Sequence, residues 1–266
     1  MWTSFLTEKM KFFFEKLRFE QKMGLKKHFF IKNIDLIRRL CCVGLLTILS
    51  AFCVFSQAPK KLSIVQTPFE YKRLTQKNPE FRLVRVQDFV DSPQVHLFYA
   101  STQNFTKTVL YHDPELYLVE KAAKMLALVQ DSLQKIGLDI LIFDCYRPYS
   151  VTKKMWQIVP DERYAANPAK GSGHNRGTTI DLSLVNAKTK KELDMPSSFD
   201  NFSDTAHLNF SHLPEAVKKN REILRSIMSW FGFVPFETEW WHYSLPDASS
   251  YPIFDLSFQQ LKTLVK

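Results

Sequence analysis

The chain is poor in glycine and in cysteine outside one short stretch, and each shortage excludes a class of structure. Its 266 residues include only seven glycines and no internal repeat, which excludes low-complexity and solenoid architectures. Three of the four cysteines lie between residues 40 and 56, so Cys145 stands alone in the rest of the chain. That part therefore has no internal disulfide and no zinc site built from several cysteines.

The positive charge is concentrated at the N-terminus. The formal net charge is +9, and residues 1–39 hold ten basic and four acidic residues, which is +6 of that total. The remainder is close to balanced, which argues against nucleic-acid binding. An apolar fraction of 45% and an aromatic fraction of 14% fit a globular domain with a substantial core.

An uncharged apolar run follows the basic region. Residues 40–56 are 17 residues without a charge, directly after Arg38 and Arg39. The run is short for a transmembrane helix and long for a signal-peptide core, and the preceding basic residues favour a cytoplasmic N-terminus. We expect a basic cytoplasmic region at 1–39, a signal peptide or inner-membrane anchor at 40–56, and a periplasmic or otherwise exported domain at 57–266.

Helix and strand patterns alternate in the remainder without a strict βαβ repeat. The prediction is a linker at 57–80, strands at 81–90, 138–143, 178–185 and 233–243, helices at 114–136, 148–159 and 213–231, and an irregular tail from 246. This order favours an α+β single domain with a central antiparallel sheet flanked by helices.

Two short motifs carry candidate metal ligands. His174 and Asp181 are seven residues apart, too far along a straight strand or helix to meet on one ion, so the backbone must reverse between them. Gly177 permits that reversal because glycine adopts positive φ at little cost. The β-branched residues that follow it then predict a strand that carries Asp181.

The second motif adds Glu239 and His242. Two histidines and one aspartate can fill three positions on a zinc ion and leave the fourth for water, while Glu239 remains as a base. Residues three apart point to opposite faces of a regular strand, so a strand here requires a bend or bulge. An ion-pair network of the same residue types is the alternative at this point, and Glu237 is the competing carboxylate, interpreted as a surface acid.

Three motifs together resemble one enzyme family. They are Ser172-x-His174-x-x-Gly177-x-Thr179-x-Asp181, Glu239-Trp-Trp-His242 and Asp144-x-Tyr146-Arg147-Pro148. This set, from about residue 65 to residue 255, resembles the zinc D-alanyl-D-alanine dipeptidases, which include the vancomycin-resistance dipeptidases. The resemblance implies the D,D-peptidase/hedgehog-like fold and one Zn²⁺ per chain, held by His174, Asp181 and His242, with Glu239 as the general base.

The same resemblance implies how substrate is held. Arg147 corresponds to the arginine that steadies the transition state, and a fixed guanidinium suits a developing oxyanion. Asp200 corresponds to the aspartate that binds the free amino group of a small D,D-dipeptide, and Ser172 is a further substrate contact or simply a turn residue. Thr179 departs from the family, where alanine is usual, and we expect a small repacking around it.

These residues predict hydrolysis of D-Ala-D-Ala to two D-alanines in cell-wall peptide metabolism. The alternative is a D,D-carboxypeptidase acting on peptidoglycan stem peptides. An alternative of another class is a zinc-containing module that binds cell-wall peptides without turnover, against which Glu239 argues because a pure binder needs no base.

Overall fold

The computed structural model describes residues 62–265. The expected basic region, the apolar run and the first residues of the expected exported domain lie outside this range, so those expectations stay predictions. Within residues 62–265, no helix is long and apolar enough to cross a membrane.

Residues 62–265 contain five α-helices and nine β-strands. The helices are α1 (Pro68–Lys77), α2 (Glu120–Gln134), α3 (Tyr149–Ile158), α4 (Glu215–Trp230) and α5 (Phe258–Leu264). The strands are β1 (Ile64–Val65), β2 (Leu83–Arg85), β3 (Gln94–Val95), β4 (Tyr117–Val119), β5 (Leu138–Asp144), β6 (Thr179–Asn186), β7 (Val234–Phe236), β8 (Glu239–Ser244) and β9 (Ile253–Phe254).

A five-stranded sheet in the order β3-β5-β6-β8-β7 supports the candidate site. The pairings β5–β6, β6–β8 and β7–β8 are antiparallel, whereas β3 runs parallel to β5. The α+β class is therefore confirmed, but the sheet is mixed, and the prediction of an antiparallel sheet is wrong at the β3 edge. The parallel edge was missed because β3 has only two residues, too few to show a period in the sequence.

The centre of the sheet is buried on both faces. Its fully buried apolar side chains on β5, β6 and the covering helix α2 include Ile140, Ile142, Leu182, Leu184, Leu126, Val129 and Leu133. A strand covered on both faces has a continuous apolar run rather than an alternating one. That is why the run at 138–143 predicted β5 almost to the residue.

The predicted linker at 57–80 is wrong over α1. Thr67 caps this helix in a capping box with Glu70, and Pro68 occupies the first turn. The Thr67 hydroxyl accepts from the Glu70 backbone N–H at 3.2 Å, and the Glu70 carboxylate accepts from the Thr67 N–H at 3.0 Å. These are recognised helix-start signals, but three prolines in a polar stretch favoured a linker.

Strand pairing also replaces part of one predicted helix. The helix expected at 114–136 begins only at Glu120, because residues 117–119 form β4 and pair with β2. All three residues of β4 are buried, so their apolar side chains extended the helical pattern of α2. The strand expected at 81–90 is correspondingly reduced to the three residues of β2.

The C-terminal tail is more regular than expected. Strand β9 pairs in parallel with β1, and Ser257 and Gln260 form a capping box that begins α5. The prediction of an irregular tail is therefore wrong. The two prolines in the tail, Pro246 and Pro252, lie outside both elements.

Candidate active site

His174 lies on a tight turn that leads into β6. Residues His174–Arg176 form one turn of 3₁₀ helix, and Gly177 ends it with a φ of 64°. A side chain on Gly177 would also collide with Leu83. The predicted chain reversal at Gly177 is confirmed, and it returns the backbone so that Asp181 on β6 lies beside His174.

Strand pairing brings Asp181 to His242. The two residues are directly opposite each other in the antiparallel β6–β8 ladder. Side chains of directly opposite residues begin about 4.5–5.5 Å apart at their Cβ atoms. The ladder alone therefore places a carboxylate and an imidazole within reach of one point.

A bulge places Glu239 beside His242. The strand predicted at 233–243 is in fact a hairpin of β7 and β8. Pro235 pairs with Tyr243 and the next residue, Phe236, pairs with Glu239, so three residues of β8 have no partner on β7. The bend that a spacing of three requires is therefore present, as predicted for a strand.

Three potential ligand atoms converge at this point. One atom each of His174, Asp181 and His242 lies within 4.8 Å of the other two. His174 Nε2 is 3.2 Å from Asp181 Oδ2, and His242 Nδ1 is 3.0 Å from Asp181 Oδ1. Among residues 62–265, the buried Oδ1 nevertheless finds no hydrogen bond of acceptable geometry. A buried carboxylate oxygen without a hydrogen bond points to a ligand from outside the chain.

The ring orientation of His174 and the charge of Asp181 also suit a cation. His174 Nδ1 lies 2.7 Å from the carbonyl oxygen of Cys145. A carbonyl only accepts, so Nδ1 carries a hydrogen, and Nε2 is the ring nitrogen that faces the cluster. Burial opposes the charge on Asp181, but the two imidazoles outweigh it and lower the pKa of that carboxyl. Two imidazole nitrogens and one carboxylate oxygen form a ligand set that zinc prefers.

Glu239 lies at the rim of the cluster. Its Oε2 is 3.4 Å from His242 Nδ1, and its side chain is 24% exposed. Burial raises the pKa of Glu239, although His242 partly offsets the shift. Glu237 is exposed in the turn between β7 and β8, where its backbone carbonyl accepts from Leu208 N–H at 3.0 Å.

Arg147 follows β5 and belongs to a buried ion pair. Its Nη2 and Nε donate to Asp144 Oδ2 at 2.7 and 3.0 Å. The other oxygen of Asp144 accepts from Tyr111 Oη at 2.7 Å. Arg147 is only 7% exposed, so it is not a surface salt bridge. Asp144 belongs to the third motif but had no predicted role. The signal that could have indicated one is a charged residue at the end of a buried strand.

Asp200 lies in the loop after β6 with a φ of 56°. Its Oδ1 accepts from Tyr99 Oη at 3.0 Å, while the buried Oδ2 has no hydrogen-bond partner within residues 62–265. Burial, and then the charge of Asp181, raise the pKa of Asp200 well above its ordinary value. The guanidinium carbon of Arg147 lies 5.0 Å from the centre of the Tyr99 ring. Sequence reasoning missed Tyr99, which belongs to no motif and precedes Asp200 by 101 residues.

Ser172 contributes to the turn rather than to the cluster. Its hydroxyl accepts from His174 N–H at 3.2 Å, and its own N–H donates to Asn175 Oδ1 at 2.9 Å. Asn175 in turn donates to the Arg147 carbonyl at 2.9 Å. The turn-residue alternative therefore describes the contacts of Ser172, and its role toward substrate stays a prediction.

Known proteins resemble this chain over the region that holds the site. The family model for D-ala-D-ala dipeptidases matches residues 79–261. The D-alanyl-D-alanine dipeptidase of Escherichia coli K12 is 37% identical over 160 residues, covering 60% of this chain and 82% of that protein. The Enterococcus faecalis V583 D-alanyl-D-alanine dipeptidase is 33% identical over 169 residues, covering 56% of this chain and 84% of that protein.

A solved structure of a vancomycin-resistance D,D-pentapeptidase mutant in complex with Zn(II) is 13% identical. The match covers 62% of this chain and 87% of that one, with a TM-score of 0.34. The family model spans more than half of the chain, and it includes every motif described above. The chain therefore belongs to the D-ala-D-ala dipeptidase family.

Proposed function

We propose that this chain hydrolyses D-Ala-D-Ala to two D-alanines with one zinc ion, held by His174, Asp181 and His242. The observation that carries the proposal is the convergence of their three ligand atoms around a buried Asp181 oxygen that makes no hydrogen bond among the described residues. When bound there, zinc supplies a Lewis acid and a water of lowered pKa. Membership of a dipeptidase family supports the reaction.

Glu239 acts as the general base in this proposal. Its carboxylate lies at the rim of the cluster, close to His242 and partly open to solvent. Oε2 takes a proton from the attacking water and passes it to the nitrogen of the leaving D-alanine. A carboxyl whose pKa is raised by burial holds that proton more readily between the two transfers.

Arg147 stabilises the negative oxygen that forms when the peptide carbonyl is attacked. Its guanidinium is fixed before substrate arrives by two hydrogen bonds to Asp144. A donor held in place in a site shielded from water stabilises developing charge without reorganising. Asp144 and Tyr111 are therefore positioning residues in this proposal.

Asp200 selects a free dipeptide. Its buried Oδ2 is without a hydrogen bond in residues 62–265, and the ammonium group of D-Ala-D-Ala supplies both the missing donor and the opposite charge. A stem peptide presents an amide at that position, which leaves the carboxylate buried and unpaired. This observation favours a dipeptidase over a D,D-carboxypeptidase.

The test compares two substrates on the zinc-loaded full-length chain. Free D-alanine is measured after incubation with D-Ala-D-Ala and with a stem pentapeptide that ends in D-Ala-D-Ala. We expect release from the dipeptide, strong loss in Glu239→Ala and little change in Glu237→Ala, the matched carboxylate in the neighbouring turn. Release from the pentapeptide alone would make the chain a carboxypeptidase, and zinc binding without any hydrolysis would make it a binding module.

We also propose that the enzyme works outside the cytoplasm, with residues 57–266 as the exported domain. The support is the uncharged run at 40–56 directly after two arginines. Fractionation of cells that produce the chain tests this proposal. We expect activity in the periplasmic or the inner-membrane fraction, and activity confined to the cytoplasm would contradict it.

A further inference from the structure

The backbone conformation of Gly173, directly before His174, does not require glycine. Its φ is −61° and its ψ is −33°, a right-handed helical conformation that every L-residue adopts easily. At such angles alanine is ordinarily the better residue, because glycine loses more conformational freedom on folding. Something in the surroundings must therefore exclude a side chain.

The excluding group is the hydroxyl of Thr179. A Cβ built on Gly173 would collide with Thr179 Oγ1, lie 3.1 Å from Thr179 Cβ and lie 3.5 Å from Ser244 Oγ. Thr179 is fully buried, and its Oγ1 is 2.7 Å from Ser244 Oγ. The threonine hydroxyl is therefore held against the Gly173 backbone by a hydrogen bond across the two strands.

The strand register relates this hydroxyl pair to the cluster. Thr179 is opposite Ser244, and Asp181 is opposite His242, in the same β6–β8 ladder. Residues two apart on a strand share a face, so Thr179 and Ser244 lie one step along the face that carries Asp181 and His242. The pair thus forms the support on which the turn carrying His174 rests.

We propose that Gly173, Thr179 and Ser244 form a positioning unit that sets the distance of His174 from Asp181 and His242, and thereby the affinity of the site for zinc. The inference rests on the proposed function for the identity of the metal. It also explains the departure noted in the sequence: the threonine in place of the usual alanine is accommodated because residue 173 has no side chain. Gly173 and Thr179 therefore work as a coupled pair.

A double-mutant cycle on the full-length chain tests the coupling. Zinc affinity is measured by competition with a chromophoric chelator. The visible spectrum of the Co²⁺-substituted protein reports the ligand geometry. Thermal unfolding of the zinc-free protein reports stability. We expect Gly173→Ala to weaken zinc binding by about 10-fold to 100-fold, the range for groups that orient metal ligands, and to alter the Co²⁺ spectrum. Thr179→Ala alone should weaken zinc binding by less than about 10-fold, because the turn loses the support of the hydroxyl but meets no collision.

The double variants identify which atom of residue 179 collides with a side chain at residue 173. Adding Thr179→Ala to Gly173→Ala should restore most of the zinc affinity and the parental Co²⁺ spectrum. The collision with Oγ1 is then gone, and the contacts of 3.1 Å to the Cβ of residue 179 and 3.5 Å to Ser244 Oγ remain. Adding Thr179→Val should not restore them, because valine keeps the shape of threonine. If Gly173→Ala alone does not fold, the double variant Gly173→Ala/Thr179→Ala decides, since it should fold and bind zinc within about 10-fold of the parent with the parental Co²⁺ spectrum.

Three outcomes would overturn the inference. They are parental zinc affinity in Gly173→Ala, equal rescue by valine and alanine at residue 179, and a loss of stability in the zinc-free protein without any change in zinc affinity or spectrum. Each differs from failure of the proposed function, in which the parent chain itself neither binds zinc nor releases D-alanine.

Discussion

The two halves of the site are built in opposite ways. In the metal half, His174, Asp181 and His242 bring ligand atoms close together, but Asp181 Oδ1 finds no hydrogen bond within the described residues. In the substrate half, Arg147 is bound by Asp144 and one oxygen of Asp200 by Tyr99. The first half needs an ion from outside to be complete, whereas the protein itself organises the second half except for Asp200 Oδ2, which has no hydrogen bond within the described residues.

This difference separates the roles of the surrounding residues. The metal half uses the pairing register of β6 and β8 together with a reversing turn to bring its ligands together. The substrate half uses hydrogen bonds between side chains, one over three residues and one over 101 residues, to hold two charged groups in a buried place. Loss of zinc should therefore disturb the first half most, and loss of a side-chain partner should disturb the second.

Removal of zinc is expected to have the largest effect. Chelation should abolish release of D-alanine and lower the unfolding temperature, and added zinc should restore both. A ligand present at about a thousand times its Kd stabilises the folded state by about 4 kcal/mol. His242→Ala should lose the zinc-dependent shift in unfolding temperature, which calorimetry measures. Full activity in the chelated protein would disprove zinc dependence.

Replacement of the general base comes next. Glu239→Gln should lower kcat by about 10²-fold to 10⁴-fold, the usual range for general acid–base catalysis, and should leave zinc affinity and KM little changed. Glu237→Gln is the matched control, since that carboxylate is exposed and two residues away. Steady-state kinetics with D-Ala-D-Ala measures both. Comparable losses in the two variants would remove the assignment of Glu239.

The buried ion pair of the substrate half has an exposed counterpart. Arg147–Asp144 and Arg85–Asp88 are both pairs three residues apart with an N–O distance of 2.7 Å, but only the first is buried. Asp144→Ala should lower the free energy of unfolding by about 3–5 kcal/mol, because it leaves a buried charge alone. Asp88→Ala should cost at most about 1 kcal/mol. Denaturant titration measures the free energy of unfolding of both variants. Equal losses would mean that burial of Arg147 does not determine the effect of losing its partner.

Features that depend on a short spacing along the chain could be predicted from the sequence. His174, Asp181, Glu239 and His242 were candidates because two motifs each pair a histidine with a carboxylate, and the family resemblance supplied their roles. The turn at Gly177 and the bulge in β8 follow from the spacing within each motif. Local patterns also predicted β5 and most of α2, α3 and α4, whose apolar residues recur within one element.

The missed features depend on contacts made after folding. Tyr99 meets Asp200 across 101 residues, and no local pattern records such a contact. Strands β3 and β9 have two residues each, so only their partners define them. The collision between Gly173 and Thr179 likewise depends on how closely the turn approaches the sheet, which spacing does not give.

The smallest and most specific effect is in the pH dependence of Asp200. Burial raises the pKa of Asp200 in the folded protein, so its carboxylate becomes available for an ammonium group only as the pH rises through that value. A protonated aspartic acid resembles asparagine, so parent and Asp200→Asn should have similar kcat/KM for D-Ala-D-Ala below that pKa. Their ratio should then grow by up to about tenfold per pH unit until Asp200 is ionised.

As the pH rises, the contribution of Asp200 to stability should fall while its contribution to kcat/KM grows. A carboxyl whose pKa is raised on folding binds its proton more tightly in the folded state. Its contribution to stability is therefore greatest below the unfolded pKa of about 3.9 and falls as the pH rises toward the folded pKa. Asp200→Asn removes this loss, so the variant should be more stable than the parent at neutral pH and yet less active. A ratio of kcat/KM values that does not change with pH, together with equal unfolding temperatures at neutral pH, would show that Asp200 carries no buried charge for the substrate to neutralise.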